Sequence, residues 1–403
     1  RDELNQNWNT FVPFSLPDQD VFILNANAAT AATMQSTATP VTGVGTVLFN
    51  MAVRPLAAPE RLYVSNTDAR NQVRFEPVLH GHLAESRVTV VQGGVATGHH
   101  LNPHIAYGTT PGPQSEIDQS LAFPLDMAFS SDGLTLYVAG FGSGKVGVFD
   151  AASLESGTVI ENQVTVGGGP SGLALDEANN RLYVMNRFDE NISIVSNVNN
   201  PGLRAETAKV SLHYNPEPTF VKIGRPVLYE AKRSGHGDSA CASCHIFADF
   251  DSLAWDLGDS VSTTVPTNFN PFRLSLGGPH VFHPLKGPMT TQSLRGMDNA
   301  GPMHWRGDRT GSTSGNPNGA FDEPTNFGKF NPAFQGLLGA ANQLTTGAGS
   351  EMEKFTDFIL SVVYPPNPTA PLAGVFAPGS PEAAGQTFFS NTAVDGGLHC
   401  NDC

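Results

Sequence analysis

Apolar and polar residues alternate along much of the first half of the chain, in short runs set apart by turn residues. In Pro124-Leu-Asp-Met-Ala-Phe-Ser-Ser-Asp-Gly-Leu-Thr-Leu-Tyr-Val138 two such runs flank an Asp-Gly pair, the pattern of two half-buried strands joined by a tight turn. Pro170-Ser-Gly-Leu-Ala-Leu-Asp-Glu-Ala-Asn-Asn-Arg-Leu-Tyr-Val184 repeats it without a gap, at an offset of 46 (124 to 170). A third strand follows at the same offset, Lys145-Val-Gly-Val-Phe-Asp150 against Asn191-Ile-Ser-Ile-Val-Ser196. A looser copy runs through Met51-Ala-Val53, Arg61-Leu-Tyr-Val-Ser-Asn66 and Gln72-Val-Arg-Phe75. Its Leu-Tyr-Val precedes the next by 74 residues (62 to 136), which predicts an inserted loop around 83–120 carrying His99, His100 and His104. Asp20-Val-Phe-Ile-Leu24 reads as the last strand of an earlier unit.

Several short strands per unit, at a period of about 40–45 residues, predict the blades of a β-propeller. Leu62-Tyr-Val-Ser-Asn66 and Leu182-Tyr-Val-Met-Asn186 carry Tyr-Val-x-Asn, while Leu136-Tyr-Val-Ala-Gly140 ends in Gly. With these motifs the segment 15–215 resembles the YVTN-type propeller family. Three blades and part of a fourth are visible, so closure of the ring calls for further blades upstream or for a partner. A surface-binding role is one reading of such a module.

The pattern changes after His213. Gly224-Arg-Pro-Val-Leu-Tyr-Glu-Ala231 predicts a helix with Pro near its first turn, where a missing N–H costs nothing. Met352, Phe355, Ile359 and Val362 recur at helical spacing over Glu351–Val363, and Tyr364-Pro-Pro-Asn-Pro368 ends that helix. Pro381-Glu-Ala-Ala-Gly-Gln-Thr-Phe-Phe389 opens another. The predicted organisation is an all-β set of blades over 1–215, a mainly α unit over 216–368, and the start of a second such unit over 369–403.

At 403 residues, with 42 Gly, 30 Pro and only 15% charged residues, the chain reads as a turn-rich, extracytoplasmic protein of two or three domains. A net charge of −15 argues against nucleic acid and anionic membranes as partners. No run of about 18 apolar residues predicts a membrane span. Arg1-Asp-Glu is no natural start and no signal peptide is visible, which reads as a processed or clipped chain.

Cys241-Ala-Ser-Cys244-His245 adds the chemistry. Two thiols at this spacing can form thioethers to the vinyl groups of one haem, and the adjoining His falls under the iron as its proximal ligand. Cys400-Asn-Asp-Cys403 repeats the thiol spacing and predicts a second haem c. A Cys₄ zinc site would bridge a gap far wider than a zinc ribbon uses, and no βαβ pattern surrounds either pair as a thioredoxin-like motif requires. Covalent haem attachment places the protein outside the cytoplasm, in a bacterial periplasm, secreted or on the cell surface. For the sixth iron ligand the downstream candidates are His280, His283, Met289, Met297, Met303 and His304.

Lys286-Gly-Pro-Met-Thr-Thr-Gln-Ser-Leu-Arg295 followed by His304-Trp-Arg-Gly-Asp308 resembles the bacterial di-haem cytochrome c peroxidase and MauG group, over about 220–403. The resemblance implies two c-type haem domains in tandem with Trp305 between the haems for electron transfer. Arg306 and Asp308 exchange the places of the family's Asp and Arg. It implies a distal His at His283, with His280 as the near competitor, and allows a Ca²⁺ between the domains. Where the family carries an acid/base Glu, Asn331-Pro-Ala-Phe334 has Phe; Glu323 or Asp322 could stand in. Arg306 and Arg309 could pair haem propionates, since a guanidinium fork matches a carboxylate. The expected function is that of a c-type cytochrome exchanging electrons with a redox partner protein or a small donor, the propeller serving for docking. The alternative is a peroxidase or MauG-like oxidase.

Overall fold

Most of the alternating runs become strands, and between residues 47 and 211 they make three four-stranded antiparallel sheets. A computed structural model describes residues 18–157, 161–258, 287–298, 300–301, 303–305, 322–394, 397 and 399–400. It begins with β1 (Val21–Ile23) paired to β2 (Thr39–Val41), with α1 (Ala31–Ser36) between them. The first four-stranded sheet is β3 (Val47–Val53), β4 (Leu62–Ala69), β5 (Ala84–Gln92) and β6 (Val95–His100), with α2 (Glu76–Leu79) in the β4–β5 connection. After α3 (Gln114–Gln119) comes β7 (Pro124–Phe129), β8 (Thr135–Gly140), β9 (Lys145–Asp150), α4 (Ala151–Glu155) and β10 (Glu161–Thr165). β11 (Pro170–Asp176), β12 (Arg181–Asn186), β13 (Asn191–Ser196) and β14 (Ala205–Ser211) form the third sheet. All three are simple meanders, and their first strands β3, β7 and β11 adjoin in turn. That is the blade arrangement of a β-propeller.

The Leu-Tyr-Val strands earn their place by burial. Tyr63 and Tyr137 are almost wholly enclosed, and so are Asn66 and Asn186. Asn66 donates to Val64 O and Thr89 Oγ1, both at 2.9 Å, and Asn186 donates to Ser193 Oγ at 2.6 Å. A glycine makes room for each amide, Gly45 beside Asn66 and Gly167 beside Asn186. In the middle blade, where Gly140 replaces the Asn, Leu121 packs into the space instead.

Two expectations for the first blade need correction. Gln72–Phe75 is not a strand; residues 70–83 leave the sheet, with Phe75 and His80 in left-handed backbone (φ 71° and 50°). The predicted 83–120 insertion contains β5 and β6, so the extra chain is really two pieces, 70–83 and 101–123. Both pieces pack against the helical part, and that tertiary contact overrides the local alternation. The Asp20–Leu24 strand pairs forward with β2.

Beyond β14 the described residues form helices, tight turns and one short strand pair. α5 (Thr219–Tyr229) leads to the Cys241 segment; β15 (Ala254–Trp255) pairs with β16 (Met289–Thr290). α6 (Glu323–Gly328), α7 (Ala333–Gly336), α8 (Glu351–Leu360) and α9 (Pro381–Asn391) follow. α5 starts earlier than expected, which puts Pro226 in its second half rather than its first turn. There it forfeits one backbone bond to the preceding turn. α8 is capped by Ser350, whose hydroxyl accepts from Glu353 N at 3.1 Å, and it buries Met352, Phe355, Phe358 and Ile359. No helix among the described residues is long and apolar enough to cross a membrane.

One core runs across the change of architecture. Leu79, Leu83, Phe123 and Phe141 of the blade half cluster with Val227, Leu228, Phe334, Phe355 and Ile359 of the helical half. Glu217 ties the halves electrostatically, accepting from Arg187 Nη2 and Arg225 Nη2, each at 2.6 Å. The Arg225 bond first, and Arg187 with it, hold the Glu217 carboxyl down at about 2. A carboxyl depressed on folding adds stability above its unfolded value, about 4.3, and loses it as pH falls toward the folded one. Wild type should therefore lose more thermal stability than Glu217→Gln between about pH 5 and pH 2.5. Parallel pH–melting curves for the two proteins would refute this.

Candidate functional site

Cys241 opens a tight turn in which Cys244 N and His245 N both return to Cys241 O, at 3.3 and 3.0 Å. The turn points both thiols and the imidazole into one cavity of about 680 Å³. Trp255, Met289, Met297, Met303, Phe327, Phe330, Phe334 and Phe355 give it mostly apolar walls. Leu83 and Glu76 reach in from the blade half. Glu76 belongs to α2, and its carboxylate rests on Gly336, where a Cβ would collide with it.

Burial sets the protonation of the motif. It pushes the Cys241 thiol up to about 12. Burial first, then the charges of Asp251 and Cys241, hold the Cys244 thiol well above its usual range. Thiols kept neutral in this way are poor nucleophiles, unlike those of a redox-active CxxC pair. Burial also lowers His245, favouring neutral imidazole, and a charge on His304 would act in the same direction. Nδ1 of His245 lies 2.8 Å from Gln292 O. A carbonyl can only accept, so Nδ1 carries the proton and Nε2 keeps its lone pair.

Of the other residues singled out in sequence, Trp305 sits on the cavity rim, 60% exposed, and donates from Nε1 to Thr290 O at 2.7 Å. Trp255 is buried and donates to Asp251 Oδ2 at 2.8 Å. Phe334 lines the wall, 3% exposed. Glu323 is not brought in; its carboxylate accepts from Gly301 N at 3.3 Å, off the lining. Cys400 is exposed and apart from the cavity, and α9 ahead of it buries none of its side chains. His280, His283, Arg306, Asp308, Arg309 and Cys403 lie outside the described residues.

A buried polar seam between the two halves was not foreseen. Tyr107 OH donates to Asp238 Oδ2 at 2.5 Å, and the ring of His82 stacks on Tyr107 with centroids 3.4 Å apart. His236, fully buried, meets Glu116 Oε1 through Nδ1 at 2.9 Å. Burial and the Asp238 charge push the Tyr107 phenol far up, which keeps it a donor. Its members come from segments more than a hundred residues apart, so no local pattern announces it; the histidines of 99–104 are the one hint. Among the described residues no group of three or more His, Cys, Asp or Glu is arranged to hold a metal ion.

No family model matches the chain, and no curated protein matches it in sequence. Solved structures similar in part include hydrazine synthase of Kuenenia stuttgartiensis, at 17% identity and a TM-score of 0.31, over 40% of this chain and 47% of that one. Periplasmic gluconolactonase of Pseudomonas aeruginosa matches at 15% identity and a TM-score of 0.28, over 41% and 43%. AztD of Citrobacter koseri matches at 12% and 0.30, over 49% and 44%. The chain thus spans less than half the length of each of these structures.

Proposed function

We propose that this protein is an extracytoplasmic bacterial c-type cytochrome that carries electrons, with haem held by Cys241, Cys244 and His245 and the propeller blades serving as docking module. The observation that carries this reading is the convergence of both thiols and the imidazole on one apolar cavity of about 680 Å³. That volume lies within the range of cofactor sites, about 300–1,000 Å³. The residues fit the group. The thiols would form the thioethers, and His245 would offer Nε2 while Gln292 O accepts from Nδ1 and fixes the ring, as a backbone carbonyl commonly does for a metal-ligating histidine. When bound, the haem supplies one-electron Fe(III)/Fe(II) chemistry. The chain's own part is to keep water away with Phe327, Phe334 and Phe355, and to place Trp305 at the mouth, where a redox partner protein or small donor can approach. Cys400 and Cys403 would hold a second haem, with Trp305 on the path between the two.

Mass spectrometry of the denatured protein tests the reading. Haem retained on a peptide spanning Cys241–His245 is expected; a bare peptide there ends the proposal.

The peroxidase alternative needs a carboxylate placed for proton transfer, an aid worth roughly 10²–10⁴-fold. Phe334 fills the wall where the resembling family carries its Glu, and the Glu323 carboxylate is engaged by Gly301 N behind the lining, which favours the carrier. Turnover with hydrogen peroxide and a reduced donor is accordingly expected far below the enzyme median of about 10 s⁻¹. Rates near that value would revive the enzyme, and Glu76, the one carboxylate lining the cavity among the described residues, would be the first to replace.

A further inference from the structure

We propose that His304 is the second axial ligand of the haem held at Cys241–His245, closing its sixth coordination position; this rests on the cytochrome reading above. Among the described residues, His245 and His304 are the two histidines lining the cavity. Their loops are fastened to the same strip of backbone. His245 Nδ1 is bonded to Gln292 O at 2.8 Å, and Trp305, the neighbour of His304, donates from Nε1 to Thr290 O at 2.7 Å. Carbonyls two residues apart on one short segment thus anchor both imidazole-bearing loops.

His304 is also held in a defined backbone conformation. Its φ is 71°, in the left-handed region. Histidine enters that region more readily than most non-glycine residues, and the tight turn it makes here carries its ring to the cavity lining. Neighbouring contacts hold the residue there. Met303 is buried, and the His304 ring meets Phe330 edge-on with centroids 4.8 Å apart. Met289, Met297 and Met303 line the cavity too and are the competing donors. Imidazole and thioether differ in a measurable way, because a Met ligand raises the haem potential.

The test uses the full-length holoprotein with its covalent haem. His304→Ala is expected to convert one haem from low-spin to high-spin ferric in the optical and EPR spectra, and added imidazole should restore the low-spin form. His304→Met, which keeps a ligating side chain and guards against simple misfolding, should remain low-spin with a raised reduction potential. An unchanged low-spin spectrum in His304→Ala with an unchanged potential in His304→Met overturns the assignment. So does conversion to high spin by His283→Ala, His280→Ala or Met303→Ala instead. A wild-type protein without covalent haem would overturn the cytochrome reading itself, so the two failures are told apart.

Discussion

Replacing Cys241 and Cys244 together with serine is expected to leave the first site without covalent haem and the helical half without a stable core. The reason is volume. The cavity between Trp255, Phe327, Phe334 and Phe355 measures about 680 Å³, whereas unfilled core space costs about 24 cal/mol per Å³. The part of that space walled off from solvent weighs heavily against the whole stability of a domain, about 5–15 kcal/mol. Without a ring to fill it, the walls must collapse or open to water, and ligand binding free energy lost is folding free energy lost. Haem bound through His245 alone would be extractable by acidified acetone, which separates it from thioether-linked haem. The double variant should release its first-site haem on extraction, show weakened near-ultraviolet circular dichroism and melt earlier than wild type. Blade residues Leu83 and Phe123 share the core, so the melt of the propeller half should shift as well. Wild-type melting in a haem-free double variant would mean that the cavity is stable by itself and that the stability argument is wrong.

The parts of this molecule that sequence made visible are those built from neighbours along the chain. A hairpin joined at Asp132-Gly133 is a local object: Gly133 takes φ 70° and Asp132 accepts from Leu134 N at 3.0 Å. Its 46-residue copy could therefore be read directly (124 to 170). The Cys241–His245 motif is equally local, since five consecutive residues bring two cysteines and a histidine to the lining of one cavity. What escaped notice is what tertiary contact decides. Residues 72–75 alternate like a strand, yet Phe75 N donates to Asp256 O at 2.8 Å, and the segment leaves its blade to reach the helical half. Glu76 enters the cavity by the same detour. Pro226 has the look of a helix opener in the sequence, yet it lies in the second half of α5, where it forfeits a backbone hydrogen bond and α8 packs against the helix. The polar seam of Tyr107, His236 and Asp238 is the extreme case, made of side chains that have no relation until the two halves meet.

Gly224→Ala and Gly385→Ala should change stability in opposite directions, although both replace a glycine inside a helix. Helix propensity alone favours alanine over glycine by about 1 kcal/mol, so each change would stabilise a helix lying free. Gly385 meets that condition: nothing lies near the Cβ it would gain, and α9 buries no side chain. Gly224 does not. There α5 crosses α8 closely enough that a Cβ would strike the backbone carbonyl of Lys354 and the Cβ of Phe358. A backbone atom cannot swing aside as a side-chain tip can, so the helices must part. Overpacking of a close contact costs about 1–3 kcal/mol, which outweighs the propensity gain. The damage then travels along α8, because Phe358 and Ile359 lie in the core while Met352 and Phe355 line the cavity. Gly224→Ala should lower the denaturant midpoint and disturb the haem absorption, and Gly224→Val should do both more severely. Gly385→Ala should leave the absorption untouched and the midpoint equal or higher. Stabilisation by Gly224→Ala would show that the helices do not cross at that residue.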